Sequence, residues 1–232
     1  MLTDATLDVG RAPQPVRGDL WLFAPNRDTL GGSAWWLERP GPDGDRGLLI
    51  DCPGITEANL QFLRERGPGR IVLTSRESHG RTRRLQEALG WPVLVQEQEA
   101  YLLPGVQRLG TFAAQHAPMA GLQLLWTPGP TPGACVLLAE RTADEASVLF
   151  CGRLLSPLAP GQAGPLRSQR SFHWDRWLRS LEALRQWLPA EAPDWLASGA
   201  GLGALRGDKL IGDARRMIDA LDLAALARQP SG

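Results

Sequence analysis

The 232-residue chain carries 25 basic and 25 acidic residues, so its formal net charge is +0. This balance gives no electrostatic basis for binding nucleic acid or an anionic membrane, and no apolar run approaches the roughly 18 residues of a membrane span. Hydrophobic residues make up 43% of the chain, which is enough for a sizeable core. Three scattered cysteines, and an amino terminus without the features of a signal peptide, favour a reduced cytoplasmic protein.

The amino-terminal part is predicted to be a loose tail followed by strands. Residues 1–17 are polar and contain two prolines, which favours a flexible tail, and residues 18–232 are expected to form a single domain. Apolar runs predict strands over residues 19–24, 33–38 and 47–51. An amphipathic helix is predicted to follow over residues 56–66.

The most informative stretch covers residues 70–95. An apolar run, Ile71-Val72-Leu73, ends at Thr74 and is followed by the polar loop 75–80. A helix is predicted next from the spacing of Leu85 and Leu89, and a second strand from residues 92–95. Such a strand–loop–helix–strand unit places functional loops at the carboxyl ends of strands, so we expect the functional residues in the loop 75–80.

The carboxyl-terminal half is predicted to supply a second sheet and two long helices. Its strands are predicted at residues 106–109, 122–126, 134–139, 147–150 and 195–198. The segment 155–171 is rich in Pro, Gly and Ser and is predicted to be a long loop that carries Arg167 and Arg170. Leucine and tryptophan spacing predicts helices over residues 173–188 and 210–226.

Four segments in order resemble the metallo-β-lactamase superfamily. They are GLLIDCPG at residues 47–54, the strand ending at Thr74 with its loop, TPGPTPG at residues 127–133 and LFCGR at residues 149–153. The resemblance covers roughly residues 18–203. It implies an α+β fold, a four-layer αββα sandwich in which two mixed β-sheets are flanked by helices. It also implies a site at one rim, beneath a hairpin loop at residues 25–32.

Most metal ligands of that superfamily are replaced here. Aligned from Thr74, the motif His-x-His-x-Asp-His falls on Ser75, Glu77, His79 and Gly80; aligned backwards from His79, the loop is one residue short and Ser78 replaces the Asp. Both alignments stay open. The remaining site positions correspond to Asp51, which orients the loop in the family, and to Pro130, Arg153 and Ala200. Only Glu77 and His79 are left as weak candidate ligands, and zinc needs three or four donors. We therefore expect no metal and no other cofactor.

These replacements leave two functional hypotheses open. In the first, the chain is a non-catalytic binding protein, a pseudo-hydrolase. It would bind an unknown protein or a small anionic ligand, for which Arg153, Arg167 and Asn26 are the candidate residues. In the second, it is a hydrolase with an altered mononuclear or metal-free site that acts on an ester, thioester or phosphoester. Whether the chain is an enzyme, and its oligomeric state, remain open.

A charge exchange at two site positions gives a more specific expectation. A carboxylate of the family site corresponds to Arg153, and one histidine corresponds to Glu77 when the loop is aligned from Thr74. Because an arginine–carboxylate pair offsets much of the cost of burying either charge, we predict an ion pair between Arg153 and Glu77 or, failing that, Asp51.

Overall fold

The first half of the chain folds into a mixed sheet. The computed structural model describes residues 7–41 and 44–228. The strands of this sheet are β1 Gln14–Arg17, β2 Leu20–Leu22, β3 Trp35–Glu38, β4 Gly47–Ile50, β5 Gly69–Leu73, β6 Val93–Gln96 and β7 Leu109–Phe112. They lie side by side in chain order. Neighbours from β1 to β4 are antiparallel, whereas β4, β5, β6 and β7 are parallel.

The second half supplies a smaller mixed sheet. The strands of this half are β8 Gln115–Met119, β9 Leu122–Trp126, β10 Cys135–Ala139, β11 Val148–Phe150, β12 Ser156–Ala159, β13 Gln162–Gly164 and β14 Trp195–Ala197. Five of them form the sheet in the order β14-β11-β10-β9-β8, in which only the β11–β14 pair is parallel. Strands β12 and β13 pair with each other as a separate hairpin.

Helices cover the outer faces of both sheets. They are α1 Glu57–Arg66, α2 Thr82–Leu89, α3 Trp174–Trp187, α4 Ala214–Asp219 and α5 Leu223–Ala227. Leu63 of α1 and Leu85 of α2 pack with Ile71 on one outer face. Leu181 of α3 packs with Val136 on the other. The spacing of leucines and tryptophans therefore predicted the buried faces of α1, α2 and α3 correctly.

The two sheets face each other across a shared apolar core. Successive residues of a strand point to opposite faces, so Leu48, Ile50 and Val72 face this core while their neighbours face the helices. Trp35 of the first sheet and Phe150 of the second meet there with ring centroids 6.2 Å apart. These layers form an αββα sandwich, which confirms the predicted fold class.

The predicted tail and one predicted strand need correction. Residues 14–17 are not a loose tail, because they form β1 and pair with β2; residues 7–13 carry no helix or strand, and residues 1–6 lie outside the described part. The strand predicted at residues 106–109 lies at residues 109–112 instead. It belongs to the first sheet, where it extends the parallel edge beside β6.

Two predictions in the carboxyl-terminal half were also wrong. The segment 155–171 is not one long loop, since β12 and β13 form a hairpin that turns at Gly161 with φ +72°. Residues 210–226 contain two short helices instead of one, and Ala214 and Ile218 of the first are buried. In the described residues, no helix is both long enough and apolar enough to cross a membrane.

Candidate functional site

The ends of β4, β5 and β11 converge at one rim of the sandwich. Asp51, directly after β4, accepts a hydrogen bond from the Thr74 amide at 2.7 Å and from the Thr74 hydroxyl at 2.8–2.9 Å. Gly152 follows β11 so closely that an added Cβ would lie 2.7 Å from Thr74 Oγ1. Gly129 of the 127–133 turn packs against Trp177 of α3. The apolar strand ends predict that Asp51, Thr74, Gly129 and Gly152 cluster at one edge. The contacts join Asp51, Thr74 and Gly152 directly, while Gly129 contacts Trp177.

Asp51 is a buried carboxyl that holds the start of the loop 75–80. It is 2% exposed and has φ +65°, a backbone conformation that is uncommon for residues other than glycine. Burial raises its pKa to about 6, while hydrogen bonds from Thr74 and Ser78 and the charge of Arg153 act in the opposite direction. As the resemblance implied, Asp51 orients the loop, and it does so through Thr74 and Ser78.

Arg153 joins three segments at this rim. Its Nε lies 3.1 Å from Glu77 Oε2, and the two side chains are only 17% and 20% exposed. Its Nη2 donates a hydrogen bond to the carbonyl oxygen of Thr29, in the hairpin loop 25–32, at 2.7 Å. The ion pair predicted from the charge exchange is therefore present, and its acidic partner is Glu77.

A cavity of about 400 Å³ opens beside this ion pair. Its lining includes four of the predicted site residues, Glu77, Pro130, Arg153 and Ala200, together with Trp177 and Arg170. We call this space the rim cavity. Arg170 is the residue that sequence reasoning placed in the neighbouring loop but did not assign to the site.

The comparisons with known proteins address the fold. No family model and no curated protein matches the sequence. Among solved structures, a B3 metallo-β-lactamase with an active-site glutamic acid superposes with a TM-score of 0.62 at 18% identity, over 95% of this chain and 94% of that one. An archaeal metallo-β-lactamase superfamily protein from Sulfolobus tokodaii superposes with a TM-score of 0.61 at 16% identity, over 93% and 88%.

The chain has the metallo-β-lactamase fold. A metallo-β-lactamase from Cronobacter sakazakii (Enterobacter sakazakii), carrying mutations in a HARLDQ motif, superposes similarly, with a TM-score of 0.59 at 19% identity over 95% of this chain and 100% of that one. At these identities the similarity concerns the fold, so the function has to be argued from the residues of the site.

Two predicted ligand-binding residues of this metallo-β-lactamase fold lie away from the rim cavity. Asn26 caps the turn at Arg27–Thr29, where its Oδ1 accepts from the Thr29 amide at 3.2 Å. Arg167 lines a neighbouring cavity, and its guanidinium lies 5.4 Å from the centre of the Trp174 ring. Asn26 is thus a cap of the hairpin-loop turn, whereas Arg167 faces the neighbouring cavity instead of the rim cavity.

His79 is turned inward, away from Arg153. Its Nε2 lies 3.9 Å from Glu99 Oε2 and has no hydrogen-bond partner among the described residues. Burial lowers the pKa of His79 to about 4, and Arg76 adds to this shift. Burial raises the pKa of Glu99, while hydrogen bonds from Thr131, Gly133 and Arg76 act in the opposite direction.

Glu99 links the turn that contains Gly133 to the loop that contains Arg76. Its Oε1 accepts from the Gly133 amide at 2.9 Å, and the backbone amide of Arg76 also donates to it. This role was not predictable from the residue pattern, because the polar run 96–100 forms a 3-10 turn without the periodicity of a buried helix.

The donors of a metallo-β-lactamase-type metal centre do not come together in this site. Glu77 is paired with Arg153, whereas His79 faces Glu99. Within residues 7–41 and 44–228, no group of three or more His, Cys, Asp and Glu side chains is arranged to hold a metal ion. Since a guanidinium is a cation without acceptor capacity, Arg153 beside Glu77 does not fit a metal at this position.

The cysteines do not supply a reactive nucleophile that could replace the metal. Cys52, Cys135 and Cys151 are buried free thiols. Burial raises the pKa of Cys52 and Cys151 to about 12 and that of Cys135 well above its usual value. Because the thiolate is the reactive form, none of the three is activated near neutral pH.

Proposed function

We propose that this metallo-β-lactamase-fold protein binds a small anionic ligand in the rim cavity and does not hydrolyse it. The observation that carries the proposal is the Arg153–Glu77 ion pair beside a cavity that Arg170 also lines. The guanidinium of Arg153 takes the position of a carboxylate that holds metal in active members of this fold. A cytoplasmic location is part of the proposal and is supported by the buried free thiols.

The charge balance of the rim cavity favours an anion. Glu77 neutralises Arg153, so the pair by itself adds no net charge. Arg170 is exposed, and no carboxylate in the described part of the chain pairs with it. Its guanidinium presents two parallel N–H donors that match the two oxygens of a carboxylate or phosphate. A ligand bearing either group would therefore complete the site.

Hydrolysis is the competing function, and the site supports it less. Metal-dependent hydrolysis requires the metal to generate hydroxide near neutral pH. One of the similar structures is described as having an active-site glutamic acid, so a glutamate at the rim is no argument against catalysis by itself. Glu77, however, is paired with Arg153 at 3.1 Å, so one oxygen of its carboxylate is already engaged by a guanidinium.

Titration of the purified protein with acetate and with inorganic phosphate tests the proposal. We expect binding of at least one of the two anions, and we expect Arg170→Ala to weaken it about tenfold or more, as loss of a charge-assisted hydrogen bond implies. Arg179→Ala is the matched control, because Arg179 is exposed on α3 and lies outside the lining of the rim cavity. Its affinity should equal that of the wild type.

Two results would overturn the proposal. The first is equal anion affinity in the wild type and in Arg170→Ala. The second is zinc-dependent turnover of a β-lactam, a thioester or a phosphoester by the wild type, which would establish the hydrolase hypothesis instead.

A further inference from the structure

A second and larger cavity adjoins the rim cavity. It has a volume of about 880 Å³ and lies between the β12–β13 hairpin with its following loop and helices α4 and α5. Its walls are mainly apolar and include Leu158, Ala163, Leu166, Met217, Leu221 and Leu226. We call it the apolar groove. Leu158 and Leu166 are 49% and 51% exposed, so both present apolar surface to the groove.

The apolar groove and the rim cavity share an edge. Leu166 and Ser168 line both spaces, and Arg170 follows two residues later on the rim side. In this segment Leu166 supplies apolar surface at the shared edge, Arg167 lines the groove and Arg170 lines the rim cavity. A ligand that lies across this edge would meet hydrocarbon on one side and a guanidinium on the other.

We propose that the ligand is a fatty-acid-like carboxylate, with its head against Arg170 in the rim cavity and its chain in the apolar groove. This assignment rests on the proposed function and specifies its ligand class. The groove volume lies within the ~300–1,000 Å³ typical of small-molecule sites. The positive charge at one end selects an amphiphile with a single anionic end over an uncharged apolar ligand.

The chain length of the ligand should then control its affinity. Each methylene buried in the groove adds to the binding free energy, whereas the carboxylate contributes the same contact at every length. Dodecanoate should therefore bind at least about a hundredfold more tightly than acetate, which reaches only the rim cavity. Octanoate should lie between the two.

Substitutions on α5 separate the groove from the rest of the surface. Ala225 is exposed and lines the groove, whereas its exposed neighbour Ala224 does not. Ala225→Glu puts a charge into the groove, and Ala224→Glu adds the same charge to the same helix outside it. We expect Ala225→Glu to weaken dodecanoate binding about tenfold or more and to leave acetate binding unchanged. Ala224→Glu should leave both affinities unchanged.

Titration calorimetry of the folded wild type and variants tests the groove assignment. Dodecanoate is kept below its micelle concentration. If acetate binds in an Arg170-dependent manner but dodecanoate binds no more tightly, the groove assignment fails and the proposed function stands. If dodecanoate binds tightly and both α5 variants match the wild type, the chain lies elsewhere and the assignment also fails. If neither carboxylate nor phosphate binds, both proposals fail together.

Discussion

Nε of Arg153 lies 3.1 Å from Oε2 of Glu77, so one ion pair joins the end of β11 to the loop after β5. The hydrogen bond from the same guanidinium to Thr29 adds the hairpin loop to this connection. The three segments are 124 residues apart at their most distant points along the chain. One side chain therefore contacts all three segments at the rim.

Removal of either partner of this ion pair should destabilise the fold. The side chains are mostly buried but retain contact with solvent, so we expect a loss of about 1–3 kcal/mol for Glu77→Ala or Arg153→Ala, below the full cost of breaking a buried pair. Arg153→Ala should lose more, because it also removes the hydrogen bond to Thr29. Urea midpoints measure both losses.

The exposed pair between Arg83 and Glu87 is the control for this measurement. Its side chains are 65% and 57% exposed, so removal of either should change the unfolding free energy by less than about 0.5 kcal/mol. Urea midpoints at wild-type values for both Glu77→Ala and Arg153→Ala would show that the rim pair contributes nothing to stability.

Gly152 is predicted to be intolerant of a side chain. It has φ +52°, and an added Cβ would lie 2.7 Å from Thr74 Oγ1, which Asp51 holds in place. Gly152→Ala should therefore cost about 1–2 kcal/mol for its backbone conformation and a further ~1–3 kcal/mol for the steric clash. Gly161→Ala is the control, since Gly161 has φ +72° but no heavy atom within 4 Å of an added Cβ. Equal losses of thermal stability would contradict the proposed clash.

His79 should make the fold sensitive to acid. Its pKa is about 4 in the folded protein and 6.5 in the unfolded chain, so its contribution to stability is fully present above pH 6.5 and is lost as pH falls towards 4. By pH 5 the loss should be about 2 kcal/mol. We expect His79→Gln to remove this loss, as measured by urea unfolding at pH 7, 6 and 5.

Asp51 acts in the opposite direction over the same range. Its raised pKa, about 6, means that its contribution is present at low pH and is lost as pH rises through 6. Because Asp51 is retained in His79→Gln, the difference between variant and wild type isolates the histidine. His116→Gln, at an exposed position, should show the pH dependence of the wild type; a matching curve for His79→Gln would refute the prediction.

Metal content is the fourth prediction. After dialysis against metal-free buffer, we expect elemental analysis to find well below one zinc, iron or manganese ion per chain. Added zinc chloride should leave the melting temperature unchanged, because a ligand that binds only the folded state would raise it. We expect no metal binding because Glu77 pairs with Arg153 whereas His79 faces Glu99. A value near one ion per chain would overturn this expectation.

The strand ends and the ion pair of the rim were predictable from the sequence. Apolar runs that stop at Asp51, Thr74 and Gly152 predict strands that end together, and the observed hydrogen bonds join the first two directly. The pairing of Arg153 with Glu77 was predicted because Arg153 replaces a carboxylate of the family site and Glu77 replaces a histidine. The fold brings these two positions together. In both cases one local pattern and one fold-level rule were sufficient.

Other elements depend on contacts that no local pattern encodes. The residues predicted to begin the helix 210–226 do not do so, because Ile211 exchanges backbone hydrogen bonds with Leu196 and Asp213 has φ +49°. Asp222 then accepts a hydrogen bond from the Ala225 amide and begins α5 as a separate helix. A leucine pattern that continues through both helices conceals this break.

The β12–β13 hairpin and β7 were missed for two different reasons. Pro160 and Gly161 form a Pro-Gly pair, which is a turn signal, so the hairpin could have been predicted from the sequence. Strand β7 lies at the edge of the parallel sheet and is largely exposed. It therefore lacks the hydrophobic pattern that would have assigned it to the first sheet.

The guanidinium of Arg153 is synthesised with the chain. A rim held by a metal ion is completed only when the cell supplies that ion, whereas a rim held by Arg153, Glu77 and the Thr29 carbonyl is complete when the chain has folded. Maturation of this protein should therefore be the same in metal-starved and metal-replete cells.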